Sequence, residues 1–375
     1  MKLLLVTPSF HPAVRYGGPT HATWTLARAL GARGIDVRVL TTNAHLDETL
    51  SVPVDREHER APGVRVTYLP RLRGQLALGL VGALRARVAW ADVVHLGAVY
   101  NATTFPTLLE VRRARRPLVW TPFGAHYHAV RSPSVRRPHL KALWDRAAHA
   151  LLDPARSVLV AASELEAEAS RERMPGVRVE VVPRGVEVPP AIVREEVAGG
   201  PLRLLFLGRL DPLKGLERLL SALAGSDATL TIAGSGAHEA ALRRAAAPLG
   251  ARVRWAGQVR DEDKPRLFGS HDLLVLPSIR ESFGIAVAEA LAHGLAALVT
   301  RPTAWEHLEA EGAGLVVEPS ELALQLASLD RARLREMGVR AHALAARTLE
   351  AGAVAERMIG LYEEACGDRA AEQAR

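Results

Sequence analysis

The sequence predicts an α/β protein made of two doubly wound, Rossmann-like parallel-sheet domains facing a central cleft. Three observations lead there. At 375 residues and 48% hydrophobic content the chain exceeds one ordinary core. Strand-like apolar runs alternate with helix-like stretches from end to end, as parallel strands joined by crossover helices require. One segment near the middle, EVPPAIVREEVAGGP (187–201), interrupts the alternation with prolines and adjacent glycines and reads as a linker. The first domain is therefore expected over 1–187 and the second over 188–349.

The strands can be taken in order. In the first half the apolar runs are KLLLVT (2–7), VRVLTT (37–42), VRVTYL (64–69), DVVHL (92–96), LVWTP (118–122), SVLVAA (157–162) and VRVEVVP (177–183). In the second half they are LRLLFLG (202–208), ATLTIAG (228–234), VRWAG (253–257), DLLVLPS (272–278), LAALVT (295–300) and GLVV (314–317). Between them lie Ala/Leu/Arg stretches with apolar residues at helical spacing, such as 18–34 and 237–250.

Composition narrows the function. The N-terminal MKLLLVTPSF is too short for a signal-peptide core, and no apolar run reaches the ~18 residues of a membrane span, so a cytoplasmic chain is expected. Cys366 is the single cysteine, which excludes a disulfide framework and a multi-cysteine metal site. Over residues 1–185, Lys+Arg minus Asp+Glu is 26 − 15 = +11, against +7 for the whole chain, so the first half is the basic one. Its clusters RRARR (112–116) and RSPSVRR (131–137) suit an anionic partner, a membrane surface or a phosphate-bearing substrate. Aromatics do not interleave with them, which argues against nucleic acid.

Open parallel sheets bind ligands at the carboxyl ends of their strands. After the first strand, TPSFHPAVRYGGP (7–19) brings Gly17 and Gly18 to a helix N-terminus, where backbone N–H groups suit a phosphate or a sugar hydroxyl. In the second half LGRLDPLKGLERLL (207–220) carries Arg209 and Lys214, a guanidinium fork beside a point charge, the makings of a diphosphate clamp. Only four of the 48 basic residues are lysine (Lys2, Lys141, Lys214 and Lys264), so a lysine there is notable. The turn TIAGSGAHEAAL (231–242) resembles a dinucleotide fingerprint, but Glu239 stands where a third glycine is needed. Gly234 is instead expected to form a tight turn beside the ligand, and an oxidoreductase rests on this turn alone.

The segment ESFGIAVAEALAHG (281–294) places two carboxylates, Glu281 and Glu289, in otherwise small or apolar surroundings. A strand ends at Ser278, and a helix is expected from Phe283 or Gly284 with Ser282 as its cap. A half-buried carboxylate needs donors, and a ribose diol supplies two, so Glu289 is expected to clamp a ribose and Glu281 to lie near the transferring group.

This segment resembles the E-x7-E signature of retaining GT-B glycosyltransferases. With the glycine loop PAVRYGGP, the clamp GRLDPLKG and the segment VPRGVE in their usual order, the chain resembles glycosyltransferase family 4 over nearly its whole length. The resemblance implies that Arg209 and Lys214 hold the donor diphosphate and Glu289 the ribose. Glu281 and the backbone of Phe283, Gly284, Ile285 and Ala286 would hold the sugar, with Ser282 in the same pocket. It also implies that a C-terminal helix (350–375) crosses back to the first domain. Three places depart from the family pattern. Phe123 stands where a histidine is frequent, which leaves His126 as the expected sugar contact, with His128 as the other candidate. Arg184 stands where asparagine is common, and Glu306 follows a segment lacking the usual glycine-rich turn.

The implied function is retaining transfer of a sugar from a nucleoside diphosphate sugar, UDP or GDP, to a hydroxyl of a glycan, glycolipid or small molecule, as in polysaccharide biosynthesis. The donor is a substrate; no tightly bound cofactor and no metal are expected, and DEDK (261–264) reads as a charged first helical turn. The expected partners are the donor, a glycan or lipid-linked acceptor and, peripherally, the inner face of an anionic membrane. A nucleotide-sugar epimerase of the same fold and a non-catalytic sugar-nucleotide sensor are the alternatives.

Overall fold

The computed structural model describes residues 1–77, 79–131, 137–191, 193–195 and 199–373. Most of the RSPSVRR cluster therefore lies outside the described residues. The chain divides into two compact units, Met1–Gly185 with Ala351–Arg375, and Val186–Glu350.

The first unit opens with β1 (Lys2–Val6), α1 (Gly18–Gly31) and β2 (Asp36–Thr42). The short strands β3 (Ala44–His45) and β4 (Glu48–Thr49) follow, then β5 (Glu57–Ala61), β6 (Val64–Leu69), β7 (Arg71–Arg73) and β8 (Leu76–Ala77). Next come α2 (Leu80–Trp90), β9 (Val93–Gly97), α3 (Thr104–Ala114), β10 (Leu118–Thr121), α4 (Ala125–Arg131) and α5 (Pro138–Leu151). The run closes with β11 (Ser157–Ala161), α6 (Glu164–Arg173) and β12 (Arg178–Val181). The main sheet has the order β12-β11-β10-β9-β1-β2-β6-β5. It is parallel except for β5, which pairs antiparallel with β6 at the edge.

Both faces of this sheet are covered, which is why its strands read as unbroken apolar runs. Leu4, Val6, Leu96 and Trp120 pack with Leu84 and Val88 of α2, Leu108 of α3 and Ala148 of α5 on one face. Leu3, Leu5, Val37 and Val119 pack with Ala27 and Leu30 of α1 on the other. Each fully buried leucine or valine among them stabilises the fold by roughly 1.5–3 kcal/mol.

The second unit contains β13 (Arg203–Leu207), α7 (Leu216–Leu223), β14 (Thr229–Ala233), α8 (Glu239–Ala246), β15 (Val253–Gly257) and α9 (Lys264–Gly269). It continues with β16 (Leu273–Leu276), α10 (Ile285–Ala292), β17 (Ala297–Thr300), β18 (Gly314–Val317), α11 (Leu322–Ala327) and α12 (Arg331–Thr348). Its six strands are all parallel, in the order β15-β14-β13-β16-β17-β18, and the order reverses between β13 and β16. The chain then returns to the first unit as α13 (Ala351–Gln373), whose Val354, Ala355, Met358 and Tyr362 join α1 on the sheet. Tyr362 lies within hydrogen-bond distance of His95 Nδ1, 2.7 Å away, and Arg33 pairs with Glu356 at 3.1 Å.

Every apolar run singled out in the sequence is a strand of one of these two sheets. The described residues of 187–201 belong to the second unit: Arg194 donates to His271 O at 3.1 Å, and Arg331 to the carbonyls of Gly199 and Pro201 at 2.9 and 2.8 Å.

Candidate functional site

The carboxyl ends of β13, β14 and β16 carry three loops held in register by backbone contact. Leu210 N donates to Ser235 O at 3.0 Å, His238 N to Leu210 O at 3.2 Å, and Ile279 N to Leu213 O at 2.8 Å. Glycine is demanded where these backbones meet. A Cβ on Gly234, whose φ is +137°, would lie 1.9 Å from Gly208 O, and one on Gly215 would lie 2.1 Å from Pro277 O. The GSG turn is thus a packing device between neighbouring loops.

On this frame the cationic residues take up positions. Asp211 accepts from Leu213 N at 2.9 Å and caps a short 3-10 turn, Pro212–Lys214, which Gly215 ends with φ +65°. Lys214 Nζ bonds Glu281 Oε2, and Ser278 Oγ donates to the same oxygen at 3.4 Å. The loop cation and the first carboxylate are therefore one ion pair. Arg209 is exposed, and among the described residues it has no hydrogen-bond or ion-pair partner.

The helix bearing Glu289 starts later than expected. Gly284, with φ +77°, is the residue before the first turn and no side chain caps it, so Ser282 is not the cap; Ser282 is buried. Phe283 is buried as well, its ring 5.1 Å from that of Trp305, whose indole N–H donates to Phe283 O. Glu306 beside it pairs with Arg301 at 3.2 Å. Ile285 opens α10, and Glu289 is the one polar residue of IAVAEALA, with 6% of its surface exposed. Its Oε1 accepts from Lys264 Nζ at 2.7 Å, and Lys264 also reaches Asp261 Oδ1 at 2.8 Å. Burial alone would depress the Lys264 pKa, but Glu289 and Asp261 together hold it above the usual lysine value. DEDK does form a charged turn ahead of α9, and its lysine is in addition the partner of the second carboxylate. Among the described residues no cluster of three His, Cys, Asp or Glu is arranged to hold a metal.

In the first unit Gly17 precedes α1 with φ +77° and ψ −144°, backbone angles open to glycine, and Gly18 is the first helical residue. A cavity of about 50 Å³ lies between α1, α13 and the strand ends, with apolar walls that include Leu5, Leu26, Val160 and Met358. Phe123 and Arg184, two of the departures noted in the sequence, both line it and touch: the guanidinium sits 4.5 Å from the ring centroid. Arg184 also pairs with Glu166 at 3.2 Å.

His126 is a correction. It lies in the first turn of α4 with no exposed surface, its Nδ1 3.2 Å from Ser170 Oγ and its Nε2 4.0 Å from Asp145 Oδ1. Burial, helped by Arg173, pushes its pKa down to about 3. A ring so enclosed cannot touch a sugar without displacement of its helix, so it is a core histidine. His128 is half-buried on the same helix.

Sequence reasoning missed Lys264 as a site residue, because its contact with Glu289 spans 25 residues and two elements. It also missed Glu166. This fully buried carboxylate accepts from Gly124 N and from Ala162 N, at 2.9 Å for the latter, while Ser163 Oγ accepts from Glu166 N. The available signal was Ser163-x-x-Glu166, a capping-box spacing.

Residues 191–337 match the family described as Glycosyl transferases group 1, and residues 17–185 match the Glycosyl transferase 4-like domain. The chain is similar to a phosphatidyl-myo-inositol mannosyltransferase of Mycobacterium leprae, 31% identical over 376 residues covering 92% of this chain and 93% of the relative. It is also similar to a GDP-mannose:cellobiosyl-diphosphopolyprenol alpha-mannosyltransferase of Komagataeibacter xylinus, 27% identical over 341 residues, 86% of this chain and 81% of the relative. Among solved structures, Anabaena Alr3699/HepE in complex with UDP-glucose matches with a TM-score of 0.73 at 18% identity, covering 97% of this chain and 100% of that one. Sucrose-phosphate synthase from Thermosynechococcus elongatus matches with a TM-score of 0.73 at 20% identity, covering 97% and 98%. These structural likenesses establish the GT-B fold. Since one relative is 31% identical along almost the entire chain and family matches fall on both units, the protein belongs to the group 1 glycosyltransferases, family 4.

Proposed function

We propose that the protein is a retaining glycosyltransferase that moves a sugar from a UDP- or GDP-sugar to a hydroxyl of a glycan or lipid-linked acceptor. The observation that carries this reading is the double pairing at the strand ends of the second unit, Lys214 with Glu281 and Lys264 with Glu289. An ammonium has three donors, so Lys214 bonded to Glu281 keeps two N–H groups for phosphate oxygens, and the Arg209 fork adds a bidentate contact. Charge that grows on the departing diphosphate is stabilised there. Glu289 holds the ribose. In the second unit Ser282, Phe283, Gly284 and Ile285 line the sugar pocket, beside the tight turn at Gly234; in the first unit Gly17 and Gly18 bring backbone N–H groups to the start of α1.

In this reading the reaction is a front-face attack without a covalent intermediate. The acceptor oxygen attacks the anomeric carbon on the face the diphosphate leaves; the C–O bond to the leaving phosphate breaks as the new C–O bond forms, and that phosphate takes the acceptor proton. The donor and acceptor named for the Komagataeibacter relative support GDP-mannose and a lipid diphosphate as the first pair to test.

A lipid-borne acceptor suits the first unit. Residues 71–146 hold 13 basic and 3 acidic residues, a net of +10, so nearly all the charge excess of this half is concentrated there. In this stretch α3 packs against both α2 and α5, and Val81, Leu109, Leu140 and Leu143 are 46–61% exposed. Exposed apolar side chains among cations suit an anionic bilayer.

The test is a melting screen with GDP-mannose, UDP-glucose and ADP-glucose, followed by transfer to a polyprenyl-diphosphate glycan with the product anomer read by NMR. Ligand at 100 times its Kd adds ~2.7 kcal/mol. An inverted anomer would remove the retaining assignment. Epimerised donor without transfer would favour the epimerase, and binding without turnover the sensor.

A further inference from the structure

The geometry around α10 points to Lys264 as the positioning residue of the donor site, one that fixes the Glu289 carboxylate in the orientation that receives the nucleotide ribose. The inference rests on the assignment of Glu289 proposed above and adds a residue, and a way of acting, to it.

Glu289 stands on a helix that is otherwise small and apolar, with its side chain 8% exposed. A carboxylate placed there without a cation would protonate or swing away, because burial disfavours the charged form. Lys264 supplies the cation, and its placement is one-sided. Its own side chain is 16% exposed, with Asp261 at 2.8 Å on the solvent side, 50% exposed, and Glu289 at 2.7 Å on the buried side. Asp261, Lys264 and Glu289 thus form a row running from solvent into the helix, in which the ammonium spends one donor on each carboxylate.

Three further points favour orientation over stability alone. Buried ion pairs are poor stabilisers, since apolar residues of the same volume generally serve as well. Lysine is the rare cation of this chain, four of 48, and two of those four are the partners of Glu281 and Glu289. A compact ammonium fits between two carboxylates where a planar fork would need more room.

The experiment separates orientation from folding by asking the protein to read a hydroxyl. Calorimetric affinities are measured for GDP and UDP, their 2′,3′-dideoxy analogues and inorganic pyrophosphate, on the wild type, Lys264→Met, Asp261→Ala, Glu289→Gln and Lys214→Met, with melting curves for each. Hydrogen bonds to a charged group are worth on the order of 10–100-fold in affinity, so the wild type should prefer the ribose forms by about that factor. Lys264→Met should lose most of this preference while its pyrophosphate affinity stays within about threefold, and Lys214→Met should show the reverse. Lys264→Arg, which keeps the charge but brings a planar fork that needs more room, keeps the test alive if the methionine variant unfolds; it should lose much of the preference too. Asp261→Ala, altered on the solvent side, should lose part of it. A folded Lys264→Met or Asp261→Ala that keeps the full ribose preference, when Glu289→Gln loses it, overturns the role of Lys264 alone. A wild type with no ribose preference overturns the Glu289 assignment and this inference with it.

Discussion

Lys214 and Glu281 are 67 residues apart in sequence and bonded to each other in the structure. If the proposed roles hold, the clamp cation and the carboxylate at the sugar form one ion pair, and their effects on the reaction are coupled. Lys214→Ala should lower kcat by roughly 10²–10³, on the order of 2–4 kcal/mol of transition-state stabilisation. Glu281→Ala should cost nearly as much, and the double variant hardly more than either. Additive losses in steady-state kinetics would show that the two act separately.

Arg209 and Glu289 should separate by kinetic parameter. Glu289→Gln should raise the donor KM with little change in kcat, because a ribose contact is equally strong in ground and transition states. Arg209→Lys should lower kcat/KM, since a point charge cannot replace the bidentate fork. Normal kcat/KM in Arg209→Lys would remove it from the clamp.

Two buried histidines contribute to the acid limb of stability. Burial pushes the His95 pKa down to about 4, and burial with Arg173 pushes that of His126 down to about 3. As pH falls below 6.5 the unfolded chain takes up protons that the folded chain refuses. Stability is therefore lost between pH 6.5 and about 4 for His95, and down to about 3 for His126, and then levels off. Each shift corresponds to on the order of 3–5 kcal/mol. In His95→Gln and His126→Gln the urea midpoint should fall less steeply with pH over this window. Unchanged slopes would show that these rings are charged in the fold.

The basic layer of the first unit should bind anionic vesicles and release them as salt rises, because exposed charges are screened beyond ~8–10 Å at physiological ionic strength. Leu140→Glu/Leu143→Glu and Arg113→Glu/Arg115→Glu should each weaken flotation with lipid and leave turnover of a soluble acceptor intact. Arg112 and Arg116 are poorer choices, since they donate to Ala150 O and Ala89 O and hold helix ends. Equal binding to neutral and anionic vesicles would end the membrane reading.

The sheets were legible because both of their faces are covered, which turns each strand into an apolar run. The strands that escaped lack that property. β5 is an edge strand spelled EHERA, and β3, β4, β7 and β8 are hairpin pieces of two or three residues without periodicity. In the site, Glu281 and Glu289 stood out as carboxylates in an apolar run, and Lys214 as a rare lysine. Their pairing did not, because it is made across separate strands. The Ser282 cap failed for a local reason: Gly284 takes φ +77° and ends the loop there, which leaves the serine two residues too early. His126 misled because a histidine after a strand looks the same in sequence whether its ring turns outward or, as here, inward to Ser170 and Asp145.

The glycine contacts between the loops at Gly208, Gly215, Gly234 and Gly236 limit how this enzyme can diverge. A Cβ at Gly236 would lie 2.2 Å from Leu210 O, as close as those at Gly215 and Gly234 come to their neighbours, so none of these loops has slack to absorb an insertion or a bulkier residue alone. Lengthening one would dislodge the others, and the Arg209 and Lys214 positions with them. A lineage or a designer seeking a different donor is left with side-chain exchange on an unchanged backbone.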